Sequence, residues 1–148
     1  MNAKKILIVE DEIDIVEIYK MKLENSWYLV DVAMDWFNAL TKALEFQPDL
    51  ILLDIMMPTM NWYESLSTIR NLAPSMKNTK IIMFSNLSSK DEIDKAISYW
   101  ADWYFIKSEF TPNELIQKIK TFFPENENER IIICPHCNKE INLLNITN

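Results

Sequence analysis

The sequence predicts a doubly wound α/β domain, a parallel sheet with helices on both faces, and three observations carry that prediction. Short runs rich in Ile, Leu and Val alternate with longer segments of helical period. The strongest of these runs are apolar throughout, as strands buried on both faces require. The alternation recurs five times along the first 107 residues, which calls for parallel pairing and right-handed crossovers.

Lys5–Val9 opens the series, and Leu50–Leu53 and Ile81–Phe84 repeat its character, while Tyr28–Ala33 and Tyr104–Ile106 are weaker runs of the same kind. Between the first two, Glu12–Asn25 places Ile15, Ile18, Tyr19 and Leu23 at three- and four-residue spacing, the period of one buried helical stripe. Ala39, Leu40, Ala43 and Leu44 repeat the pattern. Tyr63–Leu72, Asp91–Tyr99 and Pro112–Phe123 supply the other helices, the last with Thr111 as cap, Pro112 at its first position and Glu114 three residues after the cap. The domain is therefore expected over residues 1–123. A polar, Pro-led linker follows at 124–130, and the tail 131–148 is too short for a second core without a metal or a partner.

Composition bounds the function. At 148 residues, 49% hydrophobic and 25% charged, the chain is an ordinary globular protein with one core. A net charge of −7 disfavours a phosphate-tracking surface, so no nucleic-acid partner is expected. No apolar run is long enough to span a bilayer, and the only cysteines, Cys134 and Cys137, are too few for a secreted disulfide framework. A cytoplasmic protein without a membrane partner is expected. Glycine is absent, although average usage of about 7% predicts roughly ten in a chain this long.

In open parallel sheets ligands sit beyond the carboxyl ends of the strands. Glu10 and Asp11 end the first strand and Asp54 ends the third. Three clustered carboxylates repel one another unless a divalent cation neutralises them, and hard oxygen donors suit Mg²⁺. Ser85 ends the fourth strand and Lys107 the fifth, supplying a hydroxyl and a mobile cation for phosphate oxygens. One carboxylate placed as nucleophile, a metal site, a hydroxyl and an ammonium together point to acyl phosphate chemistry.

Ile6-Leu7-Ile8-Val9-Glu10-Asp11-Glu12, then Asp49-Leu50-Ile51-Leu52-Leu53-Asp54-Ile55-Met56-Met57-Pro58, then Ser85, then Lys107, in that order and spacing, resemble the response-regulator receiver family over about residues 4–123. The resemblance implies a flavodoxin-like fold with strand order 2-1-3-4-5. It also implies that Asp54 is the phospho-acceptor, that Asp11, Asp54 and the backbone carbonyl of Met56 bind Mg²⁺ directly, that Glu10 acts through water, and that Ser85 and Lys107 hold phosphoryl oxygens. The implied donor is a sensor histidine kinase or phosphotransfer protein, and the domain catalyses only its own phosphorylation and dephosphorylation. By the same resemblance Tyr104 is the aromatic switch, turning inward as Ser85 moves. A downstream protein is expected on the face built from the Asp91–Tyr99 helix, the Tyr104–Ile106 strand and the Pro112–Phe123 helix.

Several positions depart from the family pattern. Asn86 stands where a small Ala is usual, which bears on entry of donor or water. Ser108 replaces the Pro that usually follows the lysine through a cis bond, and a cis bond before Ser would cost about 2.5–4 kcal/mol. All five tryptophans, Trp27, Trp36, Trp62, Trp100 and Trp103, fall at family glycine positions. Glycine reaches positive φ without penalty where tryptophan is strained. One reading joins both anomalies: UGA codons that specify glycine have been written as tryptophan; a deliberately glycine-free variant is the alternative.

In the tail, Cys134-Pro135-His136-Cys137 resembles one knuckle of a zinc ribbon. Zn²⁺ shared between chains and a disordered thiol pair are both open. The chain is expected to act as a stand-alone receiver that signals by protein contact. Two alternatives are a Mg²⁺-dependent aspartyl-phosphate phosphohydrolase, which would want an acid/base Asp where Met56 stands, and a zinc-linked scaffold.

Overall fold

The structure is a computed structural model, and it describes residues 3–54, 57, 62–72, 74–86, 91, 94, 95, 98, 101–123, 131–133 and 140–142. Two compact units are distinguished, Met1–Pro112 and Asn113–Asn148.

The first unit contains β1 (Lys5–Val9), α1 (Ile13–Asn25), β2 (Leu29–Ala33), α2 (Trp36–Phe46), β3 (Leu50–Leu53), α3 (Trp62–Leu72), a 3₁₀ turn at Pro74–Asn78, β4 (Lys80–Ser85) and β5 (Trp103–Ile106). All four strand pairings are parallel, in the order β2-β1-β3-β4-β5. The expected five-stranded, doubly wound sheet is therefore observed, with each strand within one residue of its expected bounds. Of the Asp91–Tyr99 helix, most residues lie outside those described.

Strand alternation divides the core into two layers. Leu7, Val9, Ile51, Leu53, Ile81 and Met83 pack with Ala39 and Ala43 of α2 and Leu66 and Ile69 of α3 in one buried cluster. The intervening Ile6, Ile8, Leu50, Leu52, Ile82 and Phe84 are buried as well, and on their side the Tyr19 ring of α1 meets Phe84 edge-on. Burial on both faces is why the stretches Ile6–Val9, Leu50–Leu53 and Ile81–Phe84 carry no polar residue.

Two helical stripes differ from expectation. On α1 the buried residues are Val16, Tyr19 and Leu23, while Ile18 is exposed. This is one residue's rotation from the expected stripe, because Val16 satisfies the same three- and four-residue spacing as Ile15. On α2 the buried residues are Ala39 and Ala43, and Leu44 is exposed. Small side chains let that helix approach the sheet.

Among the described residues, the two left-handed ones sit at helix ends, Trp27 at φ 72° and Gln47 at φ 49°. The Trp27 N–H donates to Glu24 O at 3.0 Å and the Tyr28 N–H to Leu23 O at 3.2 Å, the paired bonds of a Schellman cap with Trp27 in the glycine slot. Trp36 and Trp62 instead begin helices and Trp103 begins a strand, none with positive φ, so strain is confined to Trp27 among the described tryptophans. Trp100 lies outside the described residues. No described peptide bond is cis, so Lys107–Ser108 is trans, as the cost of a cis bond before a non-proline residue dictates.

The helix α4 (Pro112–Phe122), all but its first residue in the second unit, buries Leu115, Ile116 and Ile119. The tail forms an antiparallel pair, β6 (Ile131–Ile133) and β7 (Glu140–Asn142), with Ile133 opposite Glu140. Local sequence pattern predicts no strands there. Cys134 and Cys137 lie outside the described residues. No described helix is long and apolar enough to cross a membrane.

Candidate functional site

Parallel register brings the candidate residues level. Val9 pairs with Leu53, so Glu10 and Asp54 emerge side by side one residue beyond their strands. The Glu10 N–H donates to Ala33 O at 3.0 Å and the Asp54 N–H to Val9 O at 2.9 Å, which holds both backbones in the sheet's ladder. Ser85 pairs with Ile106, and the Lys107 N–H donates to Ser85 O at 2.8 Å. Four neighbouring strands thus deliver one candidate side chain each to the same edge.

Carboxylate oxygens of Glu10, Asp11 and Asp54 lie within 4.8 Å of one another. Glu10, Asp54 and Ser85 are buried, whereas Asp11 is exposed at the mouth. Lys107 Nζ lies 2.5 Å from Glu10 Oε2 and 3.4 Å from Asp54 Oδ2, so the ammonium bridges two buried carboxylates. The second oxygen of Glu10 accepts the Glu12 N–H at 3.3 Å.

Charge at this edge does not balance. Burial is the largest influence on Glu10 and pushes its carboxyl up to about 7; the bond from Lys107 opposes this, and the nearby Asp54 charge reinforces it. One ammonium cannot neutralise three carboxylates. A hard divalent cation would, and an all-oxygen donor set with one solvent-facing carboxylate fits Mg²⁺, which keeps waters in its shell. Of the expected metal ligands, the Met56 carbonyl lies outside the described residues.

Tyr104 is 8% exposed and belongs to the core cluster with Leu53 and Met83, so its ring is inward in this structure. Asn86 is exposed just past Ser85. The strand-end rule does not single out Phe84, whose buried ring has its centroid 5.2 Å from Lys107 Nζ and 4.9 Å from the Tyr19 ring, at 75° to it. Its position immediately before Ser85 was the available signal; the register that sets it beside Lys107 was not.

Residues 6–120 match the family described as the response regulator receiver domain. The chain is 34% identical over 128 residues to response regulator ArlR of Staphylococcus saprophyticus, covering 86% of this chain and 56% of that protein. Against transcriptional regulatory protein ResD of Bacillus subtilis the identity is 35% over 119 residues, covering 80% and 48%. The chain thus spans about half the length of the curated relatives it matches. Among solved structures, chemotaxis response regulator CheY4 of Vibrio cholerae superposes with a TM-score of 0.75 at 27% identity, covering 82% of this chain and 100% of that one. A CheY-like receiver domain protein from Methanospirillum hungatei gives 0.72 at 32% identity, covering 80% and 92%. With the family pattern matching residues 6–120, most of its length, the chain belongs to the response-regulator receiver family.

Proposed function

We propose that this receiver domain of two-component signalling accepts a phosphoryl group on Asp54 and reports it through Lys107, Ser85 and Tyr104. The observation that carries the reading is the convergence of Lys107 on Asp54 and Glu10 at the carboxyl edge of the sheet. Asp54 is the only one of the three carboxylates that is buried, central in the strand order and next to both the Lys107 ammonium and the Ser85 strand end.

In the proposed step an Asp54 carboxylate oxygen attacks the phosphorus of a phosphohistidine. The new O–P bond forms as the N–P bond breaks, and the imidazole leaves with the electron pair and takes a proton from solvent. Mg²⁺, which receiver domains bind at their acidic pocket, supplies charge neutralisation for the phosphoryl oxygens. Glu10, Asp11, Asp54 and the Met56 carbonyl would hold it, Glu10 through water. Lys107 exchanges its carboxylate partners for a phosphoryl oxygen, and Ser85 donates its hydroxyl to another. Hydrolysis of the acyl phosphate by water resets the domain, so the only turnover is its own.

The donor is a histidine kinase or phosphotransfer protein, and the output is a protein contact. The experiment is incubation with acetyl phosphate and Mg²⁺ followed by intact mass: one phosphoryl group is gained, and Asp54→Asn gains none. Folded protein that stays unmodified would sink the reading.

A further inference from the structure

We infer that Phe84 is a positioning residue for Lys107, its ring forming the seat from which the ammonium is handed to the phosphoryl group; this rests on the Asp54 reading above. The Lys107 side chain must satisfy two demands. Its ammonium is 2.5 Å from Glu10 Oε2 and 3.4 Å from Asp54 Oδ2. Once a cation and a phosphoryl group engage those carboxylates, both anchors are withdrawn, and a flexible four-carbon stem would scatter the charge.

One contact does not depend on the carboxylates. Lys107 Nζ lies 5.2 Å from the centroid of the Phe84 ring, within the range at which a cation is attracted to a ring face. Phe84 is 4% exposed, so little water competes for that charge. The ring is itself braced: Tyr19, 7% exposed, meets it edge-on at 4.9 Å and 75°, an arrangement aromatic pairs favour. The side chain of Tyr19 reaches from α1 across the face of the sheet opposite the main core cluster, so the seat is fixed by two elements. Lys107 keeps one partner while it changes the other two.

The test uses the full chain with beryllium fluoride and Mg²⁺, the fluoride adduct standing in for a phosphoryl group on the carboxylate. Phe84→Leu keeps the site apolar and should weaken beryllium fluoride roughly 2- to 30-fold, the range of a partly desolvated cation–ring contact. A difluorinated phenylalanine at 84 keeps the shape and withdraws charge from the ring face; it should weaken binding in the same direction, a result that a packing role does not give. In a Lys107→Met background both replacements should have no further effect, since the coupling partner is gone. Independently of any adduct, the Lys107 ε-protons should resonate upfield in the wild type and return to ordinary values in Phe84→Leu. Equal weakening with and without Lys107, or unshifted ε-protons in the wild type, would overturn the proposal. An upfield shift in a protein that takes up no beryllium fluoride would instead overturn the acceptor reading and leave the seat standing.

Discussion

Replacing Trp27 by Gly should stabilise this protein, an unusual direction for removing a large aromatic residue. Trp27 holds φ at 72° as the residue after the cap of α1, and the Schellman bonds to Glu24 and Leu23 oblige that backbone. A residue with a Cβ costs about 1–2 kcal/mol in this region, and Gly relieves it. Against that, Gly gives the unfolded chain more freedom, worth roughly 0.5–1 kcal/mol. The ring offers little to lose: it is 87% exposed. The balance is a gain of about 0.5–1 kcal/mol, or a rise in Tm of roughly 2–4 °C for a domain of this size. Urea titration followed by far-ultraviolet circular dichroism measures it, with Trp36→Gly as a control of opposite sign, because Trp36 packs against the core cluster. A Trp27→Gly protein that is less stable than the parent would refute the reasoning that backbone strain outweighs the ring's contacts.

The other left-handed position, Gln47 at φ 49°, caps α2, and Gln47→Gly should stabilise by several tenths of a kcal/mol in the same assay. Arg70 ties α3 to the foot of β4 and β5, donating to the Thr79 and Met76 carbonyls and to Asp102 Oδ2 at 2.6 Å; Asp102 Oδ2 also accepts the Ile81 N–H at 2.8 Å. Arg70→Ala should therefore cost about 2 kcal/mol, read as a lower urea midpoint. Without metal, stability should fall as pH rises from 4.5 to about 7, because folded Glu10 keeps its proton where the unfolded chain has released it. Glu10→Gln should flatten that slope, which is at most about 3 kcal/mol across the window; an unchanged slope would assign the effect elsewhere.

How much of this was legible in the sequence depends on what each feature needs. Lys5–Val9 and Leu50–Leu53 were readable residue for residue, since a strand buried on both faces leaves an unbroken apolar run. The choice of Val16 over Ile15 was not: adjacent apolar residues on a helix satisfy the same period, and only packing selects between them. Glu10, Asp54, Ser85 and Lys107 are legible as candidates because ligand sites follow strand ends, a rule that needs only strand boundaries. The bridging of Glu10 and Asp54 by Lys107, and the seat at Phe84, depended on parallel register and on side-chain reach, neither of which is written in local pattern. Glycine's absence pointed to strain at several turns. The structure locates it at Trp27 alone among the described tryptophans, because Trp36 and Trp62 begin helices and Trp103 begins a strand, none needing a positive φ.

The central claim is that Asp54 itself carries the phosphoryl group. Borohydride reduction after exposure to acetyl phosphate and Mg²⁺ converts an aspartyl phosphate to homoserine, and peptide mass spectrometry then places the converted residue. Conversion at Asp54, with Glu10 and Asp11 unchanged, is the predicted result. Conversion at another carboxylate, or none in folded protein with donor and metal present, would contradict the account.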